Sequence, residues 1–199
     1  MPISKEREYR ALSAPLISVE SNKRIESGFY VEGYATTFNA PYLMYEYDGI
    51  KFYEAIDRNA LDGADFSDVI MQYDHGGRVL ARQTNKTLII EPNDHGLFIC
   101  ADLSKSDEAK NIYNDIVSGL VTKMSWAFTV AEDKYNNETR TRTITKVRKV
   151  YDVSAVSIPA NGDTDISARD YAQGRLDAER REALKKRAGL LRLKILLEV

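Results

Sequence analysis

Between residues 28 and 158 the chain is a succession of short apolar runs, broken every few residues by Gly, Asn, Asp or Pro, and one stretch within it carries a helical period. That pattern restricts the body to mainly β structure with a helix inserted. GFYVEGYATTF, residues 28–38, sets Phe29, Val31, Gly33 and Ala35 against Tyr30, Glu32 and Tyr34, which predicts a strand. NAPYLMYEYDG, residues 39–49, reads as a loop, followed by a second strand near residues 50–56. Asp57 reads as the cap of a short helix through Leu61, ended by Gly63. VIMQYDHGG then predicts a buried strand over residues 69–73 that delivers His75 to its end.

Strands near residues 79–83, 87–91 and 97–103, separated by Asn-Lys and by the turn Pro92-Asn93-Asp94-His95-Gly96, suggest an antiparallel meander. The helical stretch is residues 106–120, where Ala109, Ile112, Tyr113, Ile116, Val117 and Leu120 form one apolar face. Ser106 is its predicted N-cap, and Asp107 and Glu108 suit the positive end of the helix dipole. Gly119 ends it, and VTKMSWAFTV, residues 121–130, returns to strand with Ser125 at its centre. A polar hairpin at Asn136-Asn137 and strands near 140–145 and 147–158 complete the body, which stops at Pro159-Ala160-Asn161-Gly162. The expected fold class is α+β: an antiparallel β-barrel or strongly bent sheet with surrounding helices, plus a C-terminal helical tail. Residues 1–27 read as a mobile or partly strand-like arm, 28–163 as the body and 164–199 as the tail.

Charge separates the tail from the rest. Residues 164–199 hold nine Lys or Arg against six Asp or Glu, whereas the first 163 residues hold 19 against 24, so a formal net charge of -2 conceals +3 and -5. Leu176, Ala183, Leu190 and Leu197 recur every seven residues, with Leu184 and Leu191 beside them, predicting a long helix that packs on a partner or folds back. Gly174 and Gly189 weaken it locally. The near-neutral total argues against a dedicated nucleic-acid binder, and binding through the tail alone predicts steep salt dependence. No run approaches the about 18 apolar residues that span a bilayer, and residues 1–20 lack a secretory apolar core, so a soluble intracellular protein is expected. The single cysteine, Cys100, leaves no partner for an intrachain disulfide and no multi-cysteine zinc site, and no cofactor is implied.

The chain has two histidines, so an imidazole base must be His75 or His95. His75 follows an apolar strand and precedes Gly76-Gly77, where a side chain is held while the loop leaves room for a substrate. His95 lies in a turn typical of a solvated histidine. Ser125 sits among Met124, Trp126 and Phe128, and its plain alternative is a buried hydroxyl bonded to a neighbouring strand. No Gly-x-Ser-x-Gly elbow, phosphate-cradling Gly-rich loop or His-x-x-x-His pair is present.

Taken in order, GYATTF with FYEAI, VIMQYDH, GLFICADL, DEAKNIYNDIVSGLVTKMSWAF and YDVSAVSIPAN resemble the tailed-phage prohead proteases, the capsid maturation proteases related in fold to herpesvirus assemblins. The resemblance covers residues 28–166, and its most specific parts are the Ser-bulky-small-Phe strand and the final strand ending in Pro-Ala-Asn. It implies an assemblin-like closed barrel with the Ser125 strand inside, Ser125 as nucleophile and His75 as general base. The family's final strand carries an acidic residue two positions before its serine, which makes Asp152, before Ser154, the candidate orienting group. Glu54 in FYEAI competes for that role, and Asp74 ranks below both because it alternates to the face opposite His75 if the strand continues. Herpesvirus relatives use a second histidine there, a departure from this chain unless His95 serves. Arg78 and Arg82 read as strand-edge charges, and the turn at Pro159-Gly162 is a candidate source of oxyanion donors.

The resemblance further implies a serine endopeptidase in the bacterial host cytoplasm, inside the assembling procapsid, cleaving the scaffold or delta region of the major capsid protein and itself. Its implied partners are that capsid protein with its scaffold region, and a second copy of the chain as in the herpesvirus relatives. No membrane and no specific nucleic acid enter. The tail would be a packaging or dimerising element removable by self-cleavage. The alternative is a catalytically idle internal scaffolding protein that binds the capsid protein through its C-terminal helix and needs neither Ser125 nor His75.

Overall fold

The computed structural model describes residues 6–12, 23–47, 49–157, 174 and 176–189. The alternating segments become strands β1 (Glu8–Leu12), β2 (Tyr30–Thr37), β3 (Tyr42–Tyr47), β4 (Ile50–Ile56), β5 (Ile70–Tyr73), β6 (Gly76–Arg82), β7 (Leu88–Pro92) and β8 (Gly96–Asp102). Helix α1 (Asp107–Val117) follows, then the long strands β9 (Lys123–Asn136) and β10 (Thr141–Val156). The helix ends where its chemistry dictates. The Ser106 hydroxyl accepts from the Ala109 N–H at its start, and at its end Gly119, at φ 76°, lets the Gly119 and Leu120 N–H groups reach the Ile116 and Asp115 carbonyls.

The strands form two sheets: a seven-stranded mixed sheet ordered β1-β9-β10-β4-β3 with the β5-β6 hairpin also on β10, and a three-stranded antiparallel sheet ordered β2-β8-β7. Strand β10 organises the larger one. One edge pairs antiparallel with β9 along its length; the other pairs parallel with β4 over Thr141–Ile144 and with β5 over Asp152–Ala155. The main core lies where Met71, Trp126, Phe128, Val150 and Val153 of the large sheet meet Val31, Leu97 and Ile99 of the small one. Helix α1 adds Ala109 and Ile116 to that core.

Neither the expected closed antiparallel barrel nor the strongly bent antiparallel sheet forms: the chain makes two separate sheets, and the larger one is mixed. The large sheet keeps β1 and β3 at opposite ends with no closing pair between them among the described residues, and the chain leaves it after β6 to enter the other sheet at β7, which also breaks the expected meander. Period-two alternation reports a half-buried strand and carries no information about which sheet the strand joins. The segment read as a loop contains β3, whose Tyr-Leu-Met-Tyr-Glu-Tyr run favours strand despite the Pro and Asn before it. The short helix expected after Asp57 is a chain of turns, with Ala60, Asp62 and Ala64 N–H groups each bonding three residues back. The two final strands are one, and the break read near residue 146 is a set of register shifts between Ile144 and Lys149. Glu8–Leu12, within the segment read as an arm, pair with β9. Residues 176–189 are helical and fold back: Leu176 is buried with Met44, Tyr45 and Phe52, while Leu184 is exposed. Leu190, Leu191, Leu197 and the turn at 159–162 lie outside the described residues.

Candidate active site

Three strands and one hairpin tip bring Ser125, His75 and Asp152 together. On β9 and β10, Ser125 stands opposite Ser154 and Ala127 opposite Asp152, so alternation puts Ser125, Asp152 and Ser154 on one face while Trp126 and Val153 point to the core on the other. Tyr73 pairs with Gly76 across a two-residue turn, and its central residues, Asp74 and His75, both have positive φ, 46° and 55°. The turn carries the imidazole from the end of β5 over the neighbouring strand β10 to β9. His75 Nδ1 lies 2.5 Å from Asp152 Oδ1, and Nε2 lies 2.5 Å from Ser125 Oγ.

The partners settle the proton positions. A carboxylate only accepts, which assigns an N–H to Nδ1 facing Asp152; in the neutral imidazole the Nε2 lone pair then accepts the Ser125 hydroxyl proton. The Ser154 hydroxyl donates a second bond to Asp152 Oδ1 at 2.9 Å. Ser125 and Ser154 are fully buried, Asp152 is 3% exposed and the His75 side chain 16% exposed, so the imidazole is the part of the trio nearest solvent. Such an arrangement can take a proton from the serine as its oxygen attacks a carbonyl and return it to a leaving amine. A model of the caudovirus prohead serine protease family matches residues 17–176. The chain belongs to that family. No curated protein and no solved structure matches it.

In this member of the family, the other candidate residues go elsewhere. Glu54 does not face His75: it lies fully buried in an ion network with Arg10, Arg142, Glu8, Asp133 and Tyr42. Burial pushes the Glu54 carboxyl up, but the adjacent Arg10 and Arg142 charges outweigh it and hold the group below the usual glutamate range. Asp74 turns away from the imidazole and accepts from Ser157, through N–H at 3.0 Å and Oγ–H at 2.9 Å. His95 packs edge-on against Tyr34, 4.6 Å between ring centroids. Arg78 pairs with Glu108 and Arg82 with Asp68. Cys100 is buried in β8, where burial pushes its thiol up and away from the reactive thiolate.

Sequence reasoning missed Tyr9. Its ring meets the His75 ring edge-on, 4.7 Å between centroids, and β1 sets it opposite Ala127. The neighbouring Glu8 and Arg10 point to the other face and enter the ion network. The signal was the alternation Glu8-Tyr9-Arg10 itself, which is too short and too polar to read as a strand without its partner.

Proposed function

We propose that the chain is the serine endopeptidase of phage capsid maturation, with Ser125 as nucleophile, His75 as general base and Asp152 as the group that orients the imidazole. The observation that carries this reading is the continuous relay from Asp152 Oδ1 through both ring nitrogens to Ser125 Oγ, with 2.5 Å at each step. In it, neutral His75 removes the Ser125 proton as Oγ bonds to the scissile carbonyl carbon. The imidazolium, stabilised by Asp152, then protonates the leaving amine, and water repeats the sequence to release the acyl group.

Family membership supports the biological setting: the enzyme works inside the assembling procapsid in the host cytoplasm, on the scaffold or delta region of the major capsid protein and on itself. Confinement with many substrate copies raises effective concentration, so the enzyme needs little affinity per site. The tail from residue 164 serves to package or dimerise the protease and is removable by self-cleavage. The idle-scaffold alternative is not favoured by membership of a serine protease family. The test is co-expression with the capsid protein of the same phage. Wild type should yield shortened capsid protein and Ser125→Ala should leave it at full length; continued processing by Ser125→Ala would remove the assignment.

A further inference from the structure

We infer that Asp74 is a positioning residue for the general base, acting as a latch that fastens the hairpin tip bearing His75 to the end of β10. The inference rests on the proposed role of His75. Asp74 at φ 46° and His75 at φ 55° are two consecutive residues other than Gly in the left-handed region, which Asp and His enter more readily than most side chains but less readily than Gly. Turns of this kind favour Asn-Gly or Asp-Gly, and a histidine at the second position has a side chain where Gly is preferred. Local preference therefore does not hold the imidazole in place, and the surroundings must.

The restraint comes from β10. The Asp74 N–H donates to the Ala155 carbonyl at 3.0 Å, and the Asp74 carboxylate accepts the Ser157 N–H at Oδ1 and the Ser157 hydroxyl at Oδ2. Bonds to a charged acceptor are the stronger kind, and here each carboxylate oxygen takes one, although both residues are exposed to solvent. The same strand supplies Asp152 to His75 Nδ1. Backbone and ring of the base are thus both referenced to β10, the backbone through Asp74 and the ring through Asp152. Asp74 touches neither Ser125 nor the imidazole among the bonds described, so its effect falls on base placement.

The test uses the full-length protein, measuring turnover of a capsid-derived peptide, the rate at which a fluorophosphonate labels Ser125, and the thermal midpoint. Asp74→Gly relieves the positive φ and keeps the backbone bond to Ala155 while removing both carboxylate bonds to Ser157. It should lower kcat and the labelling rate about ten- to a hundredfold with KM unchanged, the scale at which displacing a reacting group by about 1 Å acts. Asp74→Asn keeps a carbonyl acceptor for Ser157 and tolerates the left-handed region, so it should recover to within about threefold of wild type. Ser157→Ala, which loses the hydroxyl bond and keeps the N–H bond, should fall between. Wild-type kcat and labelling in Asp74→Gly would overturn the latch, as would a loss in KM alone or failure of Asp74→Asn to rescue. Should Asp74→Gly not fold, Ser157→Ala decides the matter, since it leaves the turn sequence intact: wild-type rates there overturn the proposal. Ser125→Ala and His75→Ala are run alongside. Labelling that persists in either defeats the Ser125/His75 reading itself, an outcome distinct from failure of the latch.

Discussion

Replacing Glu54 by Gln separates a structural carboxylate from a catalytic one. Glu54 Oε1 accepts from Arg10 Nε at 2.5 Å and from the Tyr42 hydroxyl at 2.5 Å, while Oε2 accepts from Arg10 Nη2 and Arg142 Nη1, each at 3.1 Å. Glutamine removes the charge and turns one of those oxygens into an NH2 donor facing guanidinium donors. Breaking a buried ion pair by removing one partner costs about 3–5 kcal/mol. Against a total stability of about 5–15 kcal/mol, that is a large share. For a chain of this size it corresponds to a fall in thermal midpoint of roughly 6–20 °C, at about 2–4 °C per kcal/mol. Urea titration of both proteins gives the stability difference, and fluorophosphonate labelling well below the midpoint reports the site. The variant should be strongly destabilised and, while folded, label within about threefold of wild type, a margin set by the loose coupling expected through β1 to Tyr9. A stability loss below about 1 kcal/mol would refute the energetic reasoning, and loss of labelling in the folded variant would place Glu54 in the chemistry.

Three further outcomes are expected. The Glu54 carboxyl titrates lower in the folded chain than in the unfolded one, so its stabilisation is complete above the ordinary glutamate value of about 4.3 and is lost as pH falls through the lower folded value; in acid melts the gap between wild type and Glu54→Gln should close. Tyr9→Phe keeps the ring against His75 and should retain kcat, whereas Tyr9→Ala should lower it about two- to tenfold, the worth of an aromatic pair; equal kcat in the two variants would exclude a role for the ring. Gly96→Ala would drive a Cβ into the Thr36 backbone where β8 pairs with β2, and should cost more than about 3 kcal/mol in urea titration.

Much of this arrangement was legible in the residues. The strand that ends at Tyr73 just before His75, the capped helix from Ser106 and the apolar frame around Ser125 are local patterns with local causes, and each element stands where its pattern put it. Asp152 was found through the resemblance, and its meeting with His75 depends on parallel pairing of β10 with β5, a long-range register that alternation does not encode. The same limit explains the barrel that does not close and the meander split between sheets. Glu54 looked like a rival because its type and neighbourhood suited catalysis. Its true partners, Arg10 and Arg142, lie 44 and 88 residues away and come together only through the order of five strands. The alternation argument for Asp74 fails because the strand stops at Tyr73 and Asp74 sits with His75 in the turn; its carboxylate is drawn to Ser157, a bond that required the end of β10 to be placed.

The central claim, that Ser125 is a nucleophile activated by His75, is tested most directly by treating the purified full-length protein with a fluorophosphonate and mapping the adduct by mass spectrometry. The account predicts a single modified site at Ser125, formed in wild type and absent in a folded His75→Ala variant. Modification at another residue, or undiminished modification of Ser125 without His75, would contradict it.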